Sequence, residues 1–168
     1  MSEGTQLFLA PCANPNSQNH FEKAVLNGIS KEMYGGVTEH QLGNKTAIWG
    51  VSEGNSGSWR KVNKGDVVLF YSGEWKYTHS AKVIDKEINQ ELAELIWDHD
   101  DFYKSWDHLI YLNEITEVDI DSRELHQFAD YERMFPYHFM TFREEGVNRI
   151  IREFGSIDRY IEDNKVCC

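Results

Sequence analysis

The chain has little cysteine. Of its 168 residues only three are cysteine, with Cys12 alone and Cys167 and Cys168 adjacent. That excludes a disulfide framework, and without any CxxC spacing a structural zinc site is not expected. The terminal pair lacks the four-residue prenylation pattern. Free thiols fit a reducing, cytoplasmic compartment. No apolar run approaches ~18 residues, so no helix is expected to span a membrane. No basic stretch precedes the apolar residues near the N-terminus, as it would in a secretory leader. Catalytic signatures are missing as well. There is no GxSxG, HExxH or P-loop lysine pattern, and the glycines of residues 53–58 do not make a GxGxxG loop. Cys12 has no assignable histidine partner and reads as a plain loop cysteine. His99 with Asp98, Asp100 and Asp101 is the densest set of potential metal ligands. It reads as an exposed acidic loop, because metal sites draw ligands from separate elements. The expectation is a non-catalytic domain with no metal and no cofactor. No internal repeat, low-complexity segment or linker breaks the chain, so residues 1–168 form one domain, with a core at 6–161 and a tail at 162–168.

What the chain has in quantity is acid and aromatic rings. Net charge is −11, which argues against a generic nucleic-acid binder. The distribution is uneven. Residues 1–84 hold 7 acids and 8 bases, residues 85–132 hold 15 acids and 3 bases, and residues 133–168 hold 6 of each. The acidity is therefore confined to the middle, where it reads as a solubilising face. A phosphate backbone can still approach the first half.

Hydrophobic periodicity gives an order of β, α, β, β, β, α, β, then helices. Residues 6–10 read as a strand stopped by Pro11, followed by a polar loop. Asn19 is placed to cap a helix that Gly28 ends. Residues 29–46 read as loop, and residues 47–51 as the second strand. Ser58 is placed to cap one turn of helix. Gly65-Asp66 makes a tight turn into residues 67–71, a buried apolar strand, and residues 72–74 make a hairpin connection. Residues 77–85 are the next strand. Asn89 caps a helix through Trp97. Residues 107–120 form a long strand, and a slip in its alternation predicts a bulge near Asn113–Glu114. Residues 143–154 are helical, Gly155 stops them, and Ser156 caps a last helix. Short neighbouring strands with few helices predict an α+β fold built on a small, strongly curved mixed β-barrel flanked by helices.

The aromatic set is the positive functional signal. Residues 48–83 organise the chain and hold three of the five tryptophans. Trp49 and Trp59 flank a loop of small polar residues, Trp75 sits in the hairpin, and Trp106 precedes a strand. Trp59 and Trp97 read as core residues. Trp49 and Trp106 read as pocket walls, because rings at strand ends and in loops accept a flat ligand. Stacking is worth about 1–3 kcal/mol per base, and a base inside a duplex must be flipped out to be read in full. Ser52, Asn55, Ser56 and Asn14 are placed to bond a base edge.

Several of these patterns together resemble the PUA-like superfamily in its EVE and YTH branches. They are the Trp49-Gly50-Val51 start, the small-polar loop, the Gly65-Asp66 turn, and the strand ending in Phe70-Tyr71. The opening residues 7–14 and the Trp106-containing segment into its strand add to the likeness. The N-terminal DNA-recognition domains of McrB-type modification-dependent restriction enzymes are similar in the same motifs, in a helix ending in Trp97 and in C-terminal amphipathic helices. The resemblance implies a curved barrel that flips a modified base into an aromatic cage. By position it makes Trp49 and Trp106 the cage walls, Asn14, Ser52 and Asn55 the edge readers, and Tyr71 and Trp75 the rim. Pro11-Cys12 stands where the EVE and YTH families often carry Lys-Ser.

The expected function is a reader of modified, methylated bases in DNA, the specificity domain of a restriction or defence system. A fused or separate nuclease or NTPase subunit would cut. Arg60, Lys61, Lys64, Lys76 and Lys82 are the expected contacts to the nucleic-acid backbone. A YTH-like reader of methylated RNA shares the same cage chemistry. A binder of nucleoside-like small molecules, whether sensor or enzyme, is the third expectation and fits the acidity.

Overall fold

A computed structural model describes residues 4–38, 44–97 and 106–166. Within them the elements are β1 (Leu7–Pro11), α1 (Pro15–Phe21, continuing as a π-helical stretch Glu22–Leu26), β2 (Ile29–Ser30), α2 (Lys31–Tyr34), β3 (Lys45–Val51), α3 (Ser56–Lys61) and β4 (Val67–Gly73). Then come β5 (Lys76–Ile88), α4 (Gln90–Ile96), β6 (His108–Asp121), α5 (Ser122–Phe128), β7 (Met140–Thr141), α6 (Glu144–Phe154) and α7 (Ile157–Asp163). The predicted strands are present with small shifts at their ends. The first helix starts earlier than expected. Asn14, not Asn19, is its cap, and its side-chain oxygen accepts the Ser17 N–H at 2.8 Å. Pro15 follows at a position where a proline suits a helix start. Helix α3 likewise starts at Ser56, and Ser58 spends its hydroxyl on Thr141 of β7 instead of capping. Residues 29–46, expected as loop, contain β2 and α2. The predicted Asn89 and Ser156 caps form, accepting from Leu92 N at 2.8 Å and Arg159 N at 3.0 Å. The acidic cluster at residues 98–101 lies outside the described residues. Among the described residues no His, Cys, Asp and Glu side chains group to hold a metal ion, and no helix is long and apolar enough to cross a membrane.

The strands form one mixed sheet in the order β2-β3-β6-β5-β4-β1-β7. β1 and β4 run parallel, and the other pairs are antiparallel. The closed barrel of the sequence-based expectation is not what forms. The sheet is open, and its edges β2 and β7 are two-residue strands at opposite ends of the order. Such short edges offer few ladder groups for closure, and short edge strands also discourage pairing with other chains.

Side-chain alternation explains the layers. One face carries a single cluster that runs across five strands, with Phe8, Ala10, Trp49, Val68, Phe70, Ala81 and Ile110 among its members. Phe21 and Val25 from the first helical segment and Trp59 and Val62 around α3 cover it. The opposite face carries two clusters. Over β3 and the first half of β6, Ile48, Leu109 and Tyr111 pack with Leu92, Ile96 and Trp97 from the α4 region. Over β1, β4 and the second half of β6, Leu9, Leu69 and Ile120 pack with Leu125, Ile150 and Tyr160 from the C-terminal helices. The predicted bulge in β6 is what lets one strand serve both. Ser80 pairs with Thr116 and Lys82 with Asn113, so β6 has one extra residue there, and Glu114 takes φ 49°. Ile110 and Leu112 thus face one side, while Val118 and Ile120, of the same parity, face the other.

The Gly65-Asp66 turn has an equally local cause. Gly65 takes φ 93°, and the buried Asp66 carboxylate accepts from Gln6 N at 3.0 Å, Gln6 Nε2 at 2.9 Å and Asn63 N at 2.8 Å. One carboxylate thereby ties the start of β4 to the residue before β1.

Candidate nucleic-acid interface

The two expected cage walls do not face each other. Trp49 is 3% exposed and lies within the single-cluster face, edge-on to Phe70 at 5.5 Å and to Phe21 at 6.2 Å between ring centroids. Trp106 packs against the cluster that contains Ile48 and Trp97. Neighbours in a strand point to opposite sides, so Ile48 and Trp49 separate the two rings by the thickness of β3. Trp49 is thus a core residue, and Trp106 is a half-buried residue at the entry to β6.

Gly50 determines how Trp106 sits. It lies on the Ile48 side of β3, and a Cβ there would stand 2.8 Å from the Trp106 carbonyl oxygen and 3.1 Å from Cζ2 of Trp97. The missing side chain is a notch that admits the incoming backbone. The Trp97 indole N–H donates to the Trp106 carbonyl at 3.3 Å and fixes the segment there. Val51 pairs with His108, so the loop after β3 starts beside the segment that carries Trp106. In that loop Asn55 donates its side-chain amide to Ser52 Oγ at 3.4 Å, and both residues are half-buried. Trp106, Ser52 and Asn55 therefore share one end of the domain.

Cations gather around α3, whose Trp59 packs on the Trp49 face of the sheet. Arg60 and Lys61 are exposed in the last turn of α3, and Lys64 is exposed in the turn that follows. Lys86, which sequence reasoning missed, donates to the carbonyls of Trp59 at 3.0 Å and Arg60 at 2.7 Å, and lies over the Trp59 ring at 4.7 Å. Desolvation lowers its pKa, while the C-terminal carbonyls of α3 favour its charge. Lys76 and Lys82 sit elsewhere. Lys76 pairs with Asp119 at 2.6 Å and Lys82 with Asp158 at 3.1 Å. Those carboxylates neutralise two of the five expected backbone contacts.

The remaining predicted residues meet at another end. Cys12 N donates to Tyr71 O at 2.7 Å, Gln18 Nε2 to Ser72 O at 3.5 Å, and Gly73 lies against Ala13. That contact brings the Asn14 loop to the β4–β5 hairpin, although the Asn14 side-chain oxygen is engaged by Ser17 N. Cys12 is buried, its thiol donates to Ser17 O at 3.3 Å, and burial pushes its pKa up to about 12. It stays protonated at neutral pH and is no nucleophile. Tyr71 faces away from Trp49. Its hydroxyl accepts the Trp75 N–H at 3.2 Å, and its ring stacks on Phe135 at 6.1 Å. Trp75 is 40% exposed, with its edge against Phe135 at 5.8 Å. Phe135 and Tyr137 were not among the expected site residues. They stand in residues 131–138, where no periodicity marks an element, and only the fold brings them to the hairpin.

No protein-family model matches the chain, and no curated protein sequence matches it. Solved structures do match in three dimensions. The N-terminal domain of Thermococcus gammatolerans McrB bound to m5C DNA superposes with a TM-score of 0.71 at 16% identity, covering 91% of this chain and 99% of that one. The Pho92 YTH domain in complex with m6A gives 0.56 at 14% identity, covering 93% and 89%. The YTH domain of Zygosaccharomyces rouxii MRB1 in complex with N6-methyladenosine RNA gives 0.52 at 15% identity, covering 91% and 90%. The chain shares its fold with the McrB N-terminal domain and with YTH domains.

Proposed function

We propose that this domain is a non-catalytic reader of a methylated base in nucleic acid, with DNA the preferred backbone. The observation that carries the reading is the match over nearly the whole domain to one bound to m5C DNA. In our reading the flipped base lies against Trp106, with Ser52 and Asn55 at its edge. Arg60, Lys61 and Lys64, exposed in and just after α3, hold flanking phosphates. Trp49 lies in the core on the opposite face of β3 and does not touch the base. The domain then acts as the specificity part of a modification-dependent restriction or defence system, and a fused or separate nuclease or NTPase component does the cutting. The YTH matches favour a second reading, in which the strand is RNA. A base cage does not distinguish the two, because the sugar and groove geometry do.

The test is a titration at low salt with short DNA and RNA oligonucleotides carrying 5-methylcytosine, N6-methyladenine or no modification. The expected result is tightest binding to one methylated DNA. Preference for methylated RNA selects the second reading. Equal, negligible binding to all of them overturns both. Trp106→Ala is expected to reduce the methyl preference by about 1–3 kcal/mol, the range for loss of one stacking ring.

A further inference from the structure

The β4–β5 hairpin holds an arrangement that the base pocket does not use. The hairpin loop is Glu74-Trp75, with φ 54° and 64°, following Gly73 at 96°. Two-residue loops of this kind suit the twist of the strands, and they favour Asn-Gly or Gly-containing pairs. Here a tryptophan occupies a left-handed position, where bulky side chains are outliers. Strained backbone of this sort persists where the surroundings hold it and clusters at functional sites. The surroundings are visible. The Trp75 N–H donates to the Tyr71 hydroxyl, and Ser122 N donates to the Trp75 carbonyl at 2.8 Å. These bonds hold the backbone of the turn, and Trp75 is left 40% exposed.

Three further groups extend the surface. Arg123 lies over the Trp75 ring at 5.3 Å, and its guanidinium is held flat by both oxygens of Asp121 at 3.0 and 3.2 Å. Phe135 bridges from Trp75 to Tyr137, whose ring centroid is 4.7 Å away. Tyr137 is 54% exposed, and Arg133 lies over it at 3.4 Å. A cleft of about 450 Å³ opens beside Arg133, Phe135 and Tyr137, with His126 and Tyr131 in its wall. That size is within the range of small-ligand sites.

The geometry points to a second nucleic-acid contact: Trp75, Phe135 and Tyr137, with Arg123 and Arg133, form a clamp for one unpaired base of the bound strand outside the methylated-base pocket. This inference rests on the proposed function. Arg133, exposed over Tyr137, is placed to bond a phosphate beside the stacked base, while Arg123, already paired with Asp121, adds a stacking plane. The exposed apolar area here is two rings separated by a half-buried one, too little for the core of a stable protein interface. Stacking tolerates every base, so the clamp adds affinity without adding methyl preference.

The test compares wild type with Trp75→Gly and Tyr137→Ala on methylated and unmethylated single strands of one sequence. Glycine suits the positive φ at position 75, so the melting temperature of Trp75→Gly checks that the turn survives loss of the ring. Tyr137→Ala removes an exposed ring outside the turn. Each variant is expected to weaken both strands by about 5- to 150-fold, with the ratio between the strands unchanged. Affinity unchanged in both variants, beside a wild type that binds, overturns the clamp alone. Loss confined to the methylated strand overturns it too and assigns Trp75 to the methylated-base pocket. A wild type that binds no oligonucleotide overturns the proposed function and the clamp with it.

Discussion

The indole of Trp97 lies over Gly50, 3.1 Å from where a Cβ on that glycine would stand. The Trp106 carbonyl is closer still, at 2.8 Å. A methyl group at position 50 would collide with backbone on one side and a fully packed indole on the other. Neither can rotate away, because the Trp97 N–H is bonded to that carbonyl. Gly50→Ala is expected to destabilise the fold by about 1–3 kcal/mol, the usual cost of overpacking, and to displace Trp106. Urea unfolding of the variant checks this. An unchanged midpoint would mean that the segment before β6 shifts freely and that Gly50 does not position it.

Trp49 gives a prediction of opposite sense from the one its sequence position suggested. It was expected to wall a ligand cage, where its loss would spare the fold. Buried at 3% exposure between Phe21 and Phe70, it should cost about 3–5 kcal/mol when cut to alanine. Trp106→Ala, at a half-buried position, should cost clearly less. Denaturation curves for the two variants side by side decide it. Equal and small losses would return Trp49 to the site.

Those two residues also mark how much was legible. The strand at β3, the Gly65-Asp66 turn, the bulge in β6 and the Asn89 and Ser156 caps were readable, because each is written in adjacent residues. Periodicity of two and a cap at a helix start are local properties. The face to which a ring points was not legible for Trp106, since it precedes its strand and no alternation fixes it. The long-range neighbours of Trp75 were also hidden. Phe135 and Tyr137 lie about sixty residues further along the chain, and residues 131–138 have no regular element to flag them. The cations divided in the same way. Arg60 and Lys61, expected as backbone contacts, stand exposed in α3, whereas the carboxylates beside Lys76 and Lys82 come from β6 and α7 and depend on topology.

That division of cations predicts a salt experiment. Each lysine or arginine that neutralises a duplex phosphate adds about 0.9 to the slope of log affinity against log salt. Lys61→Ala and Lys64→Ala should each reduce the slope by about that amount and weaken all DNA sequences alike. Lys76→Ala and Lys82→Ala should leave it unchanged, since Asp119 and Asp158 already neutralise those charges. Binding isotherms from about 50 to 200 mM salt cover the range in which the slope is steep. Equal slope changes for all four lysines would show that the acidic partners release their lysines on binding.

The clamp segment also predicts a pH dependence, through His126. The imidazole is buried, with its Nε2 2.7 Å from the Tyr77 hydroxyl and its Nδ1 2.8 Å from the Arg133 carbonyl. A carbonyl only accepts, so Nδ1 carries the proton, and Nε2 accepts from Tyr77. The neutral ring fits that pair of bonds. Burial lowers its pKa below the ordinary 6.5, with the Arg133 carbonyl opposing in part. The unfolded chain therefore binds a proton that the folded chain resists. His126 contributes its full stability above pH 6.5, and this is lost as pH falls from 6.5 toward the depressed folded value. Protonation would also force a second N–H onto Nε2, opposite a hydroxyl whose own proton already points there. Residues 131–138, tied to the core through Arg133, should loosen first. His79 is shifted in the same direction by burial, so the wild-type curve contains both histidines. The difference between wild type and His126→Asn isolates one. Stability measured from about pH 8 to about pH 5 should fall less steeply in the variant. Parallel curves would mean that His126 does not couple proton binding to folding and that the tether to Arg133 is held by other contacts.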